Sequence, residues 1–205
     1  YKNAIDIQPN KMQKEALKCL EALRKEGKEK SLIISATGTG KTILCALDVR
    51  AFNPNRFLFI VHNEGILNRA KEEFRKVMPH IEEKEFGLLT GKHKDIKARY
   101  LFATIQTLSN NENFKEFAKD HFDYIVFDEA HRSAAASYQK VFKYFTPKFM
   151  LGMTATPERT DDLNIYELFD YNVAFEIRLQ EALESEILCP FHYFGVTDYS
   201  LNGEK

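Results

Sequence analysis

The sequence predicts an α/β fold in which helices cover both faces of a central, mostly parallel β-sheet, giving three α/β/α layers. Short apolar runs alternate with helical segments along the 205 residues, as in sheets built from strand–helix–strand units. The apolar runs are nearly continuous, and strands of this kind are buried on both faces. Because 44% of the residues are hydrophobic, the chain has enough apolar material to fill two helix–sheet interfaces.

Each element is predicted from its own spacing of apolar residues. Near-continuous apolar runs predict strands at residues 31–36, 57–62, 85–89, 100–104, 124–128 and 149–153, of which 85–89 is the weakest. Apolar residues at helical spacing mark one helix by Met12, Ala16, Leu20 and Leu23 and another by Leu67, Ala70, Phe74 and Val77. Further helices are predicted at residues 43–51 and 137–145, a solvated loop at 92–97, and a strand at 187–196.

Composition excludes several classes of protein. The balance of 29 basic and 30 acidic residues excludes a strongly basic, histone-like binder, although it is compatible with a local basic surface. The three cysteines, Cys19, Cys45 and Cys189, have neither zinc-ligand spacing nor the pattern of a disulfide framework, which favours a reducing, cytoplasmic location. The longest apolar runs are much shorter than the roughly 20 residues that span a bilayer, so we expect no membrane partner.

A phosphate-binding loop is predicted at residues 35–42, Ser-Ala-Thr-Gly-Thr-Gly-Lys-Thr, between a predicted strand and a predicted helix. Glycines let successive backbone N–H groups face one point, and the helix N-terminus favours an anion there. Lys41 would reach the β- and γ-phosphates of ATP, and the Thr42 hydroxyl would ligate Mg²⁺. The rest of the predicted phosphate cradle is Thr37, Gly38, Thr39 and Gly40. Ser35 stands where the strict pattern has Gly.

Two carboxylates, Asp128 and Glu129, end the predicted strand at residues 124–128. Ligands of parallel α/β sheets bind beyond the carboxyl ends of the strands, so we expect these side chains beside the phosphate loop. Asp128 would hold Mg²⁺, usually through water, and Glu129 would orient and deprotonate the attacking water. With Lys41 they form the predicted catalytic set for phosphoryl transfer.

These motifs resemble those of the DEAH-type superfamily-two helicases. Residues 128–131, Asp-Glu-Ala-His, match the box that names the group, and residues 36–42 match its phosphate loop. Residues 152–157, Gly-Met-Thr-Ala-Thr-Pro, resemble its third motif. The branch that the chain resembles most is that of the type III restriction subunit-like, or excision-repair-like, DNA motors. The resemblance covers nearly the whole chain and implies a RecA-like fold, ATP and Mg²⁺ as cofactors, and hydrolysis coupled to movement on nucleic acid, with DNA favoured over RNA.

The same resemblance implies roles for further residues. Gln13 matches the glutamine that contacts adenine. The residues implied to contact the nucleic-acid backbone are His62, Asn63, Thr104, Gln106 and Thr107. The residues implied to couple the ATP site to that surface are His131, Thr154 and Thr156. Arg159 is expected to have a surface or domain-contact role.

The family motor has two RecA-like domains with ATP between them, and the second domain supplies arginine fingers. We expect residues 1–185 to form the first domain and residues 186–205 to be a strand and linker toward a second domain that this chain lacks. An arginine finger is worth ~10³ to 10⁵ in rate in related phosphate-loop enzymes. The chain alone is therefore expected to bind ATP and to hydrolyse it slowly.

Two other functions are open from the sequence. A phosphate-loop kinase or GTPase would need a motif for an acceptor or for base recognition, and the sequence shows no such motif. This function would also leave the Thr-Ala-Thr segment at residues 154–156 unexplained. A non-enzymatic ATP-binding switch or scaffold on nucleic acid is the other alternative. A site without activity would have no reason to keep Lys41, Thr42, Asp128 and Glu129 together.

Overall fold

The computed structural model describes residues 7–157 and 165–177, which form a seven-stranded parallel sheet between two layers of helices. The strands are β1 (Lys30–Ser35), β2 (Phe57–Val61), β3 (Phe86–Leu89), β4 (Tyr100–Thr104), β5 (Tyr124–Asp128), β6 (Phe149–Thr154) and β7 (Val173–Ile177). The α-helices are α1 (Lys11–Lys25), α2 (Lys41–Phe52), α3 (Glu64–Val77), α4 (Ile105–Leu108), α5 (Asn111–Phe114), α6 (Ala136–Tyr144) and α7 (Ile165–Leu168). The strand order is β3-β4-β2-β5-β6-β1-β7, and the predicted α/β fold is confirmed.

The central strands are apolar on both faces because each face meets a helix layer. In β2, Phe57, Phe59 and Val61 pack into the core beneath α1, α2 and α3. The alternate residues Leu58 and Ile60 pack into the core on the α4–α6 side. Burial on both faces explains why the run in the sequence is continuous and does not alternate.

The structure differs from the sequence prediction mainly at the two sheet edges. β3 begins at Phe86 because Glu83–Glu85 form a short 3₁₀ turn. The last strand, β7, was not predicted: it lies at the sheet edge with Glu176 exposed, so it lacks a continuous apolar run. The predicted strand at residues 187–196 and the predicted linker at residues 186–205 lie outside the described residues.

Parallel pairing places the carboxyl ends of all these strands along one edge of the sheet. β1 leads there into residues 36–40, and β5 ends there at Asp128. β6 ends at Thr154, β4 at Thr104, and β2 is followed by His62. The sheet therefore brings the predicted ATP, coupling and nucleic-acid segments to a common edge.

Gly152 in β6 lies where the neighbouring side chains leave no room for a Cβ atom. Such an atom would lie 2.5 Å from the Phe169 ring and 2.9 Å from Leu32 Cδ1. We expect Gly152→Ala to lower the free energy of unfolding by about 1–3 kcal/mol through overpacking, measured by urea denaturation. Gly91→Ala is the control, because nothing lies within 4 Å of a Cβ at that position; an equal loss in both variants would contradict overpacking as the cause.

Candidate functional site

The loop between β1 and α2, residues 36–40, turns tightly, and its two glycines have left-handed backbone conformations. Gly38 and Gly40 have φ angles of 86° and 83°, in the left-handed region that favours glycine. The Thr39 hydroxyl donates to the Ala36 carbonyl at 2.8 Å, and the Ser35 hydroxyl, 2.5 Å away, donates to Thr39. Ser35 thus holds the loop from the end of β1. This hydrogen bond explains why Ser can stand where the strict sequence pattern has Gly.

The Lys41 ammonium lies against this loop. Its Nζ donates to the Ser35 carbonyl at 2.7 Å and to the Ala36 carbonyl at 3.1 Å. Burial lowers the pKa of Lys41, while the charges of Asp128 and Glu129 act in the opposite direction. The cation is held beside the loop, where phosphate oxygens can replace the carbonyls as acceptors.

The two carboxylates at the end of β5 differ in conformation and burial. Asp128 is 7% exposed, and its Oδ1 accepts a hydrogen bond from the Glu129 N–H at 3.0 Å. Glu129 has a φ of 54°, which is uncommon for a non-glycine residue, and it precedes the 3₁₀ turn Ala130–Ala134. Burial, followed by the charge of Glu129, raises the pKa of Asp128 to about 6. A cation bound here would relieve this concentration of negative charge.

The phosphate loop and the acidic pair open into one cleft of about 390 Å³. Lys41, Thr42, Asp128 and Glu129 all line it, with Thr37, Gly38 and Gly40 of the loop. Thr39 is the exception among the predicted cradle residues, because its side chain is buried beneath the loop. The cleft brings together a lysine ammonium, backbone N–H groups and two carboxylates, which are the functional groups that phosphoryl transfer requires.

The predicted Mg²⁺ ligands, Thr42 and Asp128, both line this cleft. Mg²⁺ prefers oxygen ligands and keeps several waters, so one or two protein ligands beside a phosphate suffice. Within residues 7–157 and 165–177, no group of three His, Cys, Asp or Glu side chains is arranged to hold a metal. Because Thr42 and Asp128 present oxygen atoms to one cleft, these two residues fit a Mg²⁺ ion that would be shared with a nucleotide.

Two charged residues of α3, Arg69 and Glu73, line the same cleft and were missed by sequence reasoning. They are four positions apart, so they lie on one face of the helix, beside the apolar stripe that contains Ala70 and Phe74. The charge of Glu73 is also one of the smaller causes that raise the pKa of Asp128. The spacing indicates a shared face, but nothing in the sequence indicates that this face meets the phosphate loop.

Gln13 connects α1 to the phosphate loop. Its backbone N–H donates to Asn10 Oδ1 at 2.8 Å and its Oε1 accepts from the Asn10 N–H at 3.0 Å, which makes a capping box. Its Nε2 donates to the Gly40 carbonyl at 3.4 Å. The side chain lies next to the predicted ATP site, and its amide is already engaged in holding the helix and the loop together.

The three predicted coupling residues meet in one hydrogen-bonded chain. His131 Nδ1 lies 3.2 Å from Glu129 Oε2 and 3.1 Å from Thr154 Oγ1. Thr154 Oγ1 also accepts from the Thr156 N–H at 3.1 Å. The end of β6 is thereby joined to the carboxylate that is the predicted general base.

The predicted nucleic-acid residues occupy the turns after β2 and β4. Asn63 caps α3, with its Oδ1 accepting from the Gly65 N–H at 2.7 Å. His62 beside it is partly buried, and its Nδ1 has no hydrogen-bond partner within the described part of the chain. Burial, followed by the charge of Arg132, lowers the pKa of His62.

The residues after β4 divide into one buried and two accessible side chains. Thr104 is buried, and its hydroxyl donates to Thr107 Oγ1 at 2.9 Å. Gln106 and Thr107 line a polar groove at the sheet edge. Thr104 is therefore placed to position Thr107, whereas Gln106 and Thr107 can meet a ligand directly. Arg159 lies outside the described residues.

The raised pKa of Asp128 makes the stability of the nucleotide-free protein depend on pH. Its ordinary value is 3.8 and its value in the fold is about 6, so the native state binds more protons than the unfolded state between these values. Stability is then lost as the pH rises through this window. We expect Asp128→Asn to raise the free energy of unfolding by about 3 kcal/mol at pH 8, from about 1.4 kcal/mol per pKa unit, and by little at pH 4, measured by urea denaturation.

Asp123, at the other end of β5, is the matched control. Burial alone would raise its pKa, but hydrogen bonds from Lys148 and from the backbone N–H groups of Arg56 and Asn55 lower it. Asp123→Asn should therefore destabilise the protein at pH 8. A stability gain from Asp128→Asn that is equal at both pH values would contradict the ionisation of Asp128 as its origin.

Comparison with known proteins places this chain in a family. The sequence profile of the type III restriction enzyme res subunit matches residues 6–159. The type I restriction enzyme EcoAI endonuclease subunit of Escherichia coli is 27% identical over 194 residues, which are 91% of this chain and 24% of that protein. The DNA 3'-5' translocase XPB2 of Sulfurisphaera tokodaii is 27% identical over 164 residues, 78% of this chain and 35% of that protein. The chain thus spans only about a quarter to a third of the length of these relatives.

Solved structures share the fold. A nuclease-deletion mutant of the type ISP restriction-modification enzyme LlaGI, in complex with a DNA substrate mimic, has a TM-score of 0.68 and 22% identity, covering 88% of this chain and 21% of that one. The SWI2/SNF2 ATPase core of Sulfolobus solfataricus, in complex with dsDNA, has a TM-score of 0.64 and 20% identity. The match covers 82% of this chain and 36% of that one. These likenesses confirm the expected RecA-like fold, and the profile match over residues 6–159 shows that the chain belongs to the family of the type III restriction enzyme res subunit.

Proposed function

We propose that this chain is the ATP-binding domain of a nucleic-acid-dependent ATPase, a DNA helicase or translocase in which hydrolysis of ATP drives movement. The observation that carries the proposal is the single cleft lined by Lys41, Thr42, Asp128 and Glu129. Membership of a family with restriction enzyme and DNA translocase relatives supports it.

Each residue of the cleft has a role in this proposal. The backbone N–H groups of the phosphate loop and the Lys41 ammonium bind the phosphates of ATP. Thr42 and Asp128 hold the Mg²⁺ ion, which when bound neutralises charge on the phosphates. Glu129 orients a water molecule and accepts its proton. Gln13 lies at the loop and contributes to the adenine side of the site.

The hydrogen-bonded chain from Glu129 through His131 to Thr154 provides the coupling. A change in the position of Glu129 when the γ-phosphate is lost would alter its contact with His131 at 3.2 Å. His131 would pass the change to Thr154 at the end of β6 and to Thr156. A chain of contacts can link two sites when its members have two discrete arrangements, and this proposal requires a second arrangement of His131.

The substrate and partners follow from the same proposal. His62, Asn63, Thr104, Gln106 and Thr107 hold the backbone of a nucleic acid strand, which is DNA in preference to RNA. A second RecA-like domain in the complete protein closes the ATP site, and the location is cytoplasmic.

Among the helices in residues 7–157 and 165–177, none combines the length and apolar character that crossing a bilayer requires.

ATP turnover tests this proposal. The complete protein is assayed with single-stranded DNA, double-stranded DNA and RNA, and the 205-residue chain is assayed alone. We expect DNA to stimulate the complete protein more than RNA does, and the chain alone to be slower by ~10³ or more without an arginine finger. No stimulation by any nucleic acid while ATP still binds would favour the switch or scaffold alternative. Strong stimulated turnover by the chain alone would contradict the need for a second domain.

A further inference from the structure

Helix α3 forms one wall of the cleft that holds the phosphate loop and the two carboxylates. The residues that α3 contributes to this wall are Ile66, Arg69, Ala70 and Glu73. Their spacing of i, i+3, i+4 and i+7 places them on one face of the helix. Since Ile66 and Ala70 are apolar, the charged groups that this wall can offer a ligand belong to Arg69 and Glu73.

The position of α3 in the fold decides which end of a nucleotide this wall would meet. Helix α2, which begins at the phosphate loop, packs against both α1 and α3. Because α1 also packs on β7 whereas α3 packs on β2 and β4, the strand order places α1 and α3 on opposite sides of α2. Gln13 of α1, the residue on the adenine side, lies 3.4 Å from the Gly40 carbonyl. A nucleotide with its base at Gln13 therefore extends its phosphates across the N-terminus of α2 toward α3.

Arg69 lies near the end of α3 that faces the phosphate loop. The helix begins at Glu64, shortly after the carboxyl end of β2, and Arg69 follows about 7.5 Å along the helix axis. Long side chains on a helix lean toward its N-terminus, which for α3 is the carboxyl edge of the sheet. The Arg69 guanidinium is thus directed toward the edge at which the phosphate loop lies.

The guanidinium of Arg69 is available to a ligand. Arg75, on the same helix, pairs with Glu72 at 3.1 Å and with Glu83 at 3.3 Å. Arg69 is exposed, and within the part of the chain that the structure describes it has no hydrogen bond or ion pair. Glu73 is one turn away, but an arginine that precedes the glutamate is the less favourable order for a pair on a helix.

The charges in the cleft favour a second cation beside the phosphates. Three carboxylates line it, those of Glu73, Asp128 and Glu129. The cationic side chains that line it, among the described residues, are Lys41 and Arg69. Without Arg69, Lys41 would be the one cationic side chain facing three carboxylates and the negative charge of a triphosphate. A guanidinium suits this position because its planar fork can donate two parallel hydrogen bonds to phosphate oxygens.

We propose that Arg69 binds the terminal phosphate of ATP and makes this domain select nucleoside triphosphates over diphosphates; the inference rests on the proposed function. A diphosphate ends one phosphoryl group short of α3, so it lacks the group that Arg69 contacts. The arginine belongs to the same domain as the phosphate loop. The selectivity therefore does not require a residue from a second domain.

The test is Arg69→Gln in the complete protein, titrated calorimetrically with Mg²⁺ and either ADP or AMP-PNP, a non-hydrolysable ATP analogue. Arg69 is exposed, so the fold should be retained, and the thermal unfolding midpoint checks this. We expect the affinity for AMP-PNP to fall by about 10- to 100-fold, from the loss of charge-assisted hydrogen bonds, and the affinity for ADP to stay within about twofold. Arg69→Lys keeps the charge but lacks the fork, so it should recover part of the loss.

Lys76→Gln is the matched control. It removes the same charge from an exposed position on α3 that does not line the cleft, and we expect wild-type affinity for both nucleotides. Unchanged AMP-PNP affinity in Arg69→Gln, equal losses for AMP-PNP and ADP, or the same loss in the control would overturn the contact with the terminal phosphate. Nucleotide binding by the wild type would then leave the proposed function standing. If the wild type binds neither nucleotide, the proposed function fails as well.

Discussion

Glu129→Gln in the complete protein is expected to bind ATP normally and to slow its hydrolysis by about 10²- to 10⁴-fold, the usual contribution of a general base. Gln has nearly the shape of Glu and keeps a carbonyl oxygen that can remain near His131 Nδ1, now 3.2 Å from Glu129 Oε2. It cannot accept the proton of the attacking water. Single-turnover hydrolysis and binding of a fluorescent ATP analogue, measured together, separate these two effects.

Glu73→Gln is the matched control for Glu129→Gln. Glu73 lines the same cleft from α3 and contributes negative charge near Asp128, so both substitutions remove one charge from one site. If Glu129 is the base, Glu73→Gln changes the hydrolysis rate only slightly. Normal turnover by Glu129→Gln, or equal losses in the two variants, would show that Glu129 is not the base.

Lys41→Ala is expected to lower the affinity for ATP by about 10²- to 10⁴-fold. The magnitude follows from charge-assisted hydrogen bonds to two phosphates, each worth about 1.5–3 kcal/mol. The ammonium is already held at the loop by the Ser35 and Ala36 carbonyls, at 2.7 Å and 3.1 Å, so little movement is needed to reach a phosphate. Isothermal titration with ATP and ADP measures the loss.

The exposed Lys76 on α3 supplies a control for the loss of one positive charge. Lys76→Ala should bind ATP as the wild type does, because its side chain does not line the cleft. ATP affinity in Lys41→Ala that stays within a few-fold of the wild type would contradict phosphate binding by this loop.

The central strands could be predicted because burial on both faces leaves a continuous apolar run, as in Phe57–Val61. Each motif follows the carboxyl end of a predicted strand. In a parallel sheet these ends lie along one edge, so the motif residues could be predicted to lie near one another. Edge elements are different. β7 is only partly buried, so its sequence carries neither a continuous apolar run nor a clear alternation.

The parts of the site that could not be predicted depend on contacts between distant segments. Arg69 and Glu73 line the cleft because the polar side of α3 that carries them faces the phosphate loop. The spacing of apolar residues identifies the buried stripe of α3, but it does not show which of the two sides next to that stripe faces the loop. The link from Gln13 to Gly40 spans 27 positions. Asp95 packs so closely on β3 that a Cβ at Gly87 would lie 2.7 Å from Asp95 Cβ, and the charge-rich sequence of residues 92–97 does not show this contact.

The central claim, that hydrolysis in this cleft drives movement along nucleic acid, is tested most directly by streptavidin displacement. The complete protein is given single- or double-stranded DNA that carries streptavidin on a terminal biotin, with ATP, without ATP, and as the Glu129→Gln variant. We predict displacement only by the wild type with ATP. Release that needs no hydrolysis, or DNA-stimulated hydrolysis without any displacement, would contradict a motor and indicate an ATP-dependent switch.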